Sequence, residues 1–329
     1  MTSLLTNTAA MVALQTLSQI NHSLNETNNR VSTGLRIAQA SDSAAYWAIA
    51  TTTESDNGAL SAVKDALSIG KSTLDVAYNG LDATRDSLQK MKELLVAARQ
   101  PGVDRTNIQA EIAGLQTDMV NKASASVINE QNFLAVDTSA PGYNATKSVV
   151  ASFERSSTGI AISTIDLDLT NLVLTDAHGT TASKTGILDK QREVSPLDLG
   201  ADGVAGGTGA DADTPAINAS ILDIEVGALG DSQAELKVLE KFIELVDEAL
   251  TEVVTAQNVV GVNVARAESQ HSFISALMDA NARAIGALVD ANMEEESTKL
   301  RALQTQQQLS VESLSIANAS AQNILALFR

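Results

Sequence analysis

Near the start of the chain a seam recurs at alternating steps of three and four: Ala10, Ala13, Leu17, Ile20, Leu24, Thr27 and Val31. That spacing predicts a helix of coiled-coil type, punctuated by Gly34. Helical patterning resumes from about Ala44 to Gln100 and stops at Pro101 and Gly102. Asp104 then reads as the cap of a further helix, Arg105 to about Ala125, with Ile108, Ile112, Leu115 and Met119 on one face. Past Asp231 a second seam runs through Leu236, Leu239, Ile243, Val246, Leu250, Val253, Gln257, Val260, Val264, Ala267, His271, Ile274 and Met278. A third follows through Leu300, Leu303, Gln307, Ser310, Leu314, Ala317, Ala321, Ile324 and Phe328.

Between the helical ends the period changes. Val149 to Phe153 is β-prone, the stretch around Ile160, Ile162, Asp166 and Asp168 alternates, and Gly200 to Asp213 reads as loop. The expected fold is therefore mainly α. A long helical bundle or coiled coil is built from both chain ends, with a smaller β-rich outer domain inserted. The expected organisation is 1–36 with 290–329 as terminal helices, 37–136 with 231–289 as a helical bundle, and 137–230 as a surface-exposed insert. On this reading, 145–225 is replaceable by a short linker. Neither terminal seam can bury itself alone, so the simplest solution pairs the two ends with each other.

Composition narrows what such a molecule does. Aromatic residues are 3% of the 329 while apolar residues are 44%, so the core is built from Ala, Leu, Val and Ile rather than around a pocket for a planar ligand. The net charge of −18 argues against nucleic acid and against anionic membranes. The insert carries 13 acidic and 5 basic residues, which suits a solvent-facing surface. There is no cysteine, hence no disulfide framework. The first Lys or Arg is Arg30, so the start does not read as a secretory signal, and polar residues interrupt its apolar run too often for a membrane span.

The two ends are unusual. Residues 1–25 and 313–328 carry no Asp, Glu, Lys or Arg, although the wet face of a surface helix is normally charged. Their polar positions are mostly Thr, Ser, Asn and Gln. Neutral hydrogen-bonding groups suit a helix whose outer face also meets protein or a narrow hydrated lumen, because burying an unpaired charge is costly. The alternative is two poorly ordered tails.

From Arg30 to Ala50 the chain reads Arg-Val-Ser-Thr-Gly-Leu-Arg-Ile-Ala-Gln-Ala-Ser-Asp-Ser-Ala-Ala-Tyr-Trp-Ala-Ile-Ala. This resembles the N-terminal signature of the bacterial flagellins. The last nine residues, Ala-Gln-Asn-Ile-Leu-Ala-Leu-Phe-Arg from Ala321 to Arg329, resemble the flagellin ending. Ser43 departs from the second Asp of the signature, the segment Ile285 to Asn292 lacks a common Arg, and Tyr46–Trp47 is similar to flagellins of soil alphaproteobacteria.

The resemblance implies a structural subunit that self-assembles into the extracellular flagellar filament for swimming, alone or with related flagellins. It implies an export chaperone, the flagellar type III export apparatus and a filament cap as further partners. The alternative is a hook–filament junction protein. It implies subunit packing through Leu17, Ile20, Leu24 and Val31 at one end and Leu303, Leu314, Ile324 and Phe328 at the other. The run Leu88 to Leu94 resembles a segment that engages an animal immune receptor, which makes Lys90, Lys92, Glu93 and Leu94 candidate receptor-facing residues. Lys stands at both Arg positions of that segment and lacks the bidentate fork, so a plain solvated helix face is the competing reading.

Other chemistry finds little support. His22, His178 and His271 are far apart and none sits in a metal-protease motif. The six residues from Gly206 match one unit of a calcium-binding nonapeptide, but one copy cannot stack. The five glycosylation sequons, Asn21, Asn25 and Asn144 among them, read as chance. No catalytic residue, cofactor or metal is expected.

Overall fold

The computed structural model describes residues 7–156, 159–178, 183–194 and 217–327. The Gly200 to Asp213 loop, its calcium-like Gly206 segment and Phe328 lie outside the described residues. Five helices carry the architecture: α1 (Thr8–Thr33), α2 (Ala44–Ala98), α3 (Arg105–Ala125), α4 (Gln233–Val289) and α5 (Met293–Leu327). Between α3 and α4 lie eight described strands: β1 (Val127–Ile128), β2 (Gln131–Asn132), β3 (Ala135–Val136), β4 (Thr146–Ser156), β5 (Gly159–Asp168), β6 (Thr175–Asp176), β7 (Arg192–Val194) and β8 (Ile217–Ala219). They form two-stranded pairs only: β1–β2, β4–β5 and β7–β8 are antiparallel, β3–β6 parallel. The chain divides into two compact units, residues 1–59 with 276–329, and residues 60–275.

Helix ends follow the expected chemistry. The Asn7 side chain accepts the Ala10 N–H and starts α1. Gly34 ends it at φ 73°, its N–H on the Arg30 carbonyl, a left-handed cap that suits glycine. Asp104 caps α3 by accepting the Thr106 N–H.

In the second unit α2 carries a strict heptad seam: Leu60, Val63, Leu67, Gly70, Leu74, Ala77, Leu81, Thr84, Leu88, Met91, Leu95 and Ala98. All but Gly70 are buried. On α4, Leu239, Val246, Val253, Val260 and Ala267 are 0% exposed. With Ile108, Ile112 and Met119 of α3, most of these residues form one core.

The middle segment joins that core. Leu167, Leu169, Leu172, Val173, Leu174, Ile187, Leu188, Ile221, Ile224 and Val226 are buried in the same cluster as the helix seams. Replacing 145–225 by a linker would strip one side of the helical core rather than trim its surface. The acidic, loop-rich composition gives the average polarity of the segment, not which of its side chains a helical core buries.

Two glycines of α2 are close-approach points. A Cβ on Gly70 would lie 2.1 Å from Val149 Cγ1 of β4, and one on Gly80 would lie 2.5 Å from Leu134 Cδ1. On propensity alone, Gly→Ala within a helix gains about 1 kcal/mol. At Gly70 the sign reverses, because Val149 is β-branched and buried: Gly70→Ala is expected to destabilise by about 1–3 kcal/mol. Pairing it with Val149→Ala should recover part of the loss in a double-mutant denaturation cycle.

Arg105, 7% exposed, holds the α2–α3 turn to the segment before α4. Its guanidinium donates to the Ala98 carbonyl (2.8 Å), the Leu229 carbonyl (3.1 Å) and Asp231 Oδ1 (2.7 Å).

Two buried carboxylates organise the strands. Asp176 accepts hydrogen bonds from the Thr138 N–H and hydroxyl, the His178 N–H, and the Thr185 N–H and hydroxyl. Burial pushes its carboxyl up, but the hydrogen bonds from Thr138, His178 and Thr185 outweigh this and hold it below the ordinary value. Burial pushes Asp189 up, and the Asp176 N–H and Lys184 oppose it only in part. Asp189 Oδ1 has no partner. The signs are opposite. Asp176 contributes stability that is present above its unfolded value and is lost as pH falls through its folded one. Asp189 contributes stability that is present below its unfolded value and is lost as pH rises through its folded one. Asp189→Asn should therefore raise the denaturation midpoint at neutral pH, and the gain should vanish on acidification. Asp176→Asn should lower the midpoint at neutral pH by leaving donors unpaired.

Candidate assembly surface

In the first unit α1 and α5 pack against each other as an antiparallel pair. Three hydrogen bonds mark the alignment. Asn7 Nδ2 donates to the Ala317 carbonyl (3.1 Å), Gln307 Nε2 donates to Asn21 Oδ1 (2.7 Å), and Arg30 Nη1 donates to Glu296 Oε1 (3.2 Å). Gln307 thus meets its own chain, whereas Gln304 and Gln308 are exposed.

Every seam position of α1 turns inward: Ala10, Ala13, Leu17, Ile20, Leu24 and Val31 are half-buried and Thr27 is buried. On α5, Leu300, Leu303, Gln307, Ser310, Leu314 and Ala317 are half-buried. The structure therefore brings together Leu17, Ile20, Leu24 and Val31 on one helix with Leu303 and Leu314 on the other. The side chain of Ile324, like all of Phe328, lies outside the described residues.

The pairing is incomplete as a core. Thr27 is the one buried residue of α1, and among the described side chains of α5 only Glu296 is buried. The outward faces carry Met11, Val12 and Leu14 on α1 and Leu309, Val311 and Ile316 on α5, all more than half exposed. A shallow groove lies between Thr8, Ala9, Val12, Ala13 and Thr16 on one side and Ser310 and Ser313 on the other. Small residues let backbones approach, and the groove has room for a further side chain.

The Arg30–Ala50 signature spans the end of α1, the turn at 34–43 and the start of α2. The backbone N–H groups of Arg36 and Ile37 donate to the Val289 carbonyl, and Arg36 Nη2 donates to Leu288 O at 2.8 Å. Asp42 Oδ2 accepts the Ala38 and Gln39 N–H groups. Ile37, Ala50 and Val289 make a small core, with Leu35, Ile285 and Leu288 packed on it. Tyr46, Trp47 and Ile49 remain exposed at 48%, 39% and 53%. Sequence reasoning missed Arg30, Arg36, Asp42 and Glu296 as structural residues. Three of the four lie within the signature, so the signal was present without its geometry.

The candidate receptor-facing residues do not share one environment. Lys90 and Glu93 are exposed, and Leu94 packs partly against the core. Lys92 Nζ is 2.5 Å from Asp247 Oδ1. Leu88 and Met91 point into the core. Lys90, Glu93 and Leu94 line a groove with Glu111, Leu115 and Asp118 of α3.

Among the described residues no helix is long and apolar enough to cross a membrane, and no group of His, Asp or Glu is arranged to hold a metal ion.

Residues 4–139 match the bacterial flagellin N-terminal helical region, and residues 243–328 match the bacterial flagellin C-terminal helical region. Over its whole length the chain is 42% identical to "Flagellin C" of Rhizobium meliloti across 330 aligned residues, with both chains fully covered. It is 38% identical to "Flagellin" of Brucella melitensis biotype 1 across 330 residues, again with full coverage of both. A longer alignment of 401 residues with "Flagellin A" of Rhizobium meliloti gives 38% identity, also over all of both chains. The two matched regions contain the α1 and α5 helices whose pairing exposes apolar side chains, and this chain belongs to the bacterial flagellin family.

Proposed function

We propose that this chain is the structural subunit of an extracellular flagellar filament and polymerises with identical or related copies to support swimming. The observation that carries this reading is the α1–α5 pair. It has no Asp, Glu, Lys or Arg over its outermost turns, and it leaves Met11, Val12, Leu14, Leu309, Val311 and Ile316 uncovered. A lone helix pair with that surface is poorly suited to water. Many copies packed side by side bury it. Electron microscopy of the purified protein under polymerising conditions should show long tubes, and persistent monomers in every condition tried would reject the proposal.

Within that filament the terminal segments 1–36 and 290–329 form the inner tube. Residues 37–136 and 231–289 form the helical bundle, and 137–230 contribute the outer surface. The acidic character of that last segment supports its outward placement. The export apparatus, an export chaperone and the filament cap are partners on this reading, and no catalytic step is assigned to the chain. Lys90 and Glu93 are accessible to a receptor, whereas Lys92 is occupied by Asp247.

A further inference from the structure

Along one edge of the second unit, α2 and α4 face each other at heptad intervals. The α2 side runs Lys71, Tyr78, Arg85 and Lys92, with Arg99 just beyond its last turn. The α4 side runs Glu240, Asp247, Val254, Gly261 and Glu268, in the opposite direction. Arg99 pairs with Glu240, Lys92 with Asp247, and Lys71 with Glu268 at 3.8 Å. Tyr78 lies over Gly261, where a Cβ would be 3.5 Å from the ring.

The middle rung is different. Opposite Arg85 stands Val254, and Arg85 instead approaches Asp82 Oδ1 (2.9 Å) and Gln257 Oε1 (3.5 Å). Gln257 Nε2 donates to the same Asp82 oxygen at 2.9 Å. Gln257 is 7% exposed and sits in the apolar seam between Val253 and Val260, both fully buried.

A seam that repeats every seven residues stays buried when one helix slides by seven. The ladder does not oppose such a slip. After a slip in one direction Lys92 meets Glu240, Arg85 meets Asp247 and Lys64 meets Glu268, so three exposed ion pairs replace three. The buried amide does oppose it. Slid one way, Gln257 meets Asp75, already paired with Lys71, and Tyr78; slid the other way, it meets Gln89 and Lys92. Neither position offers its oxygen and nitrogen a guanidinium and a carboxylate bound to each other, as Arg85 and Asp82 are now. Either slip exchanges one of the amide's two charged partners for a neutral one, and hydrogen bonds to charged groups are the stronger. We propose that Gln257, with Asp82 and Arg85, selects the register in which α2 and α4 pair. One buried polar position can specify register in a coiled coil at a cost in stability. Register matters to a chain that must fit identical neighbours, because a one-heptad slip moves every surface residue of α4 by about 10 Å.

The chain has no cysteine, so nitroxide labels on Lys90→Cys and Ser269→Cys report this alignment alone, and a slip in either direction changes their axial offset by about 10 Å. Pulsed electron paramagnetic resonance on the full chain, refolded from denaturant, should give one distance with the cluster intact. With Gln257→Leu a second, shifted distance should appear, without a fall in melting temperature. The double variant Asp82→Ala, Arg85→Ala removes both partners from half-exposed positions and should likewise add the second distance. A single unchanged distance in either refolded variant would overturn the proposal. So would failure of both variants to fold, which would make the cluster a stability requirement instead of a register selector.

Discussion

Leu314→Glu, and separately Leu24→Lys, is expected to abolish polymerisation while the monomer keeps its helical signal. Both leucines are half-buried between α1 and α5. In a single chain a charged side chain at either position can still reach water along the edge of the pair. Once neighbouring copies cover that edge, the charge loses its water, and around Leu314 it has no partner on its own chain, since no Asp, Glu, Lys or Arg occurs in residues 1–25 or 313–328. An isolated charge buried in that way costs far more than a leucine contributes there. The measurement is circular dichroism on the purified variants, followed by a sedimentation assay for polymer. Normal filaments from both variants would show that the α1–α5 seam is not covered on assembly. Loss of all helical signal would place these helices in the monomer's own stability core.

Leu81→Ala should cost about 2–5 kcal/mol, and Leu250→Ala should fall at or below the bottom of that range. Leu81 is 0% exposed within the main core. Leu250 lies in the α4 seam but is only half-buried, packed on the edge of the same cluster. Truncating a fully enclosed leucine loses transfer free energy and leaves a cavity, whereas an edge position can relax or admit water. Chemical denaturation of the two variants decides the matter. Equal costs would mean that α4 presents a broader face to the core than its burial indicates.

The helices and the polarity of the ends were legible from the chain. Steps of three and four at Ala10 to Val31, and at Leu236 to Met278, located α1 and α4 because a helix returns a side chain to the same face at those intervals. Gly34 and Asp104 were legible as helix ends for an equally local reason: one suits a left-handed cap and the other accepts the first free N–H groups. Every residue of the predicted α1 seam is half-buried or buried. The comparison with known flagellins covers these ends and extends over the whole chain.

Long-range partners were not legible. That Val149 would press on Gly70, that Leu172 to Leu174 would complete a helical core, and that Arg30 would reach Glu296 are contacts between residues far apart in the chain. Such contacts depend on how the folded chain brings distant segments together. Gly70 shows the limit clearly. Local propensity says alanine is better there, and only the approach of β4 reverses the sign. Gln257 shows it again: in the pattern it is one more seam position, and its hydrogen bond to Asp82 exists because α2 runs antiparallel to α4 in one particular register. Periodicity and local chemistry determined which residues form helices, where those helices end and which face of each is apolar. Tertiary packing decided which faces meet and in what alignment, because burial depends on three-dimensional neighbours that no local pattern encodes.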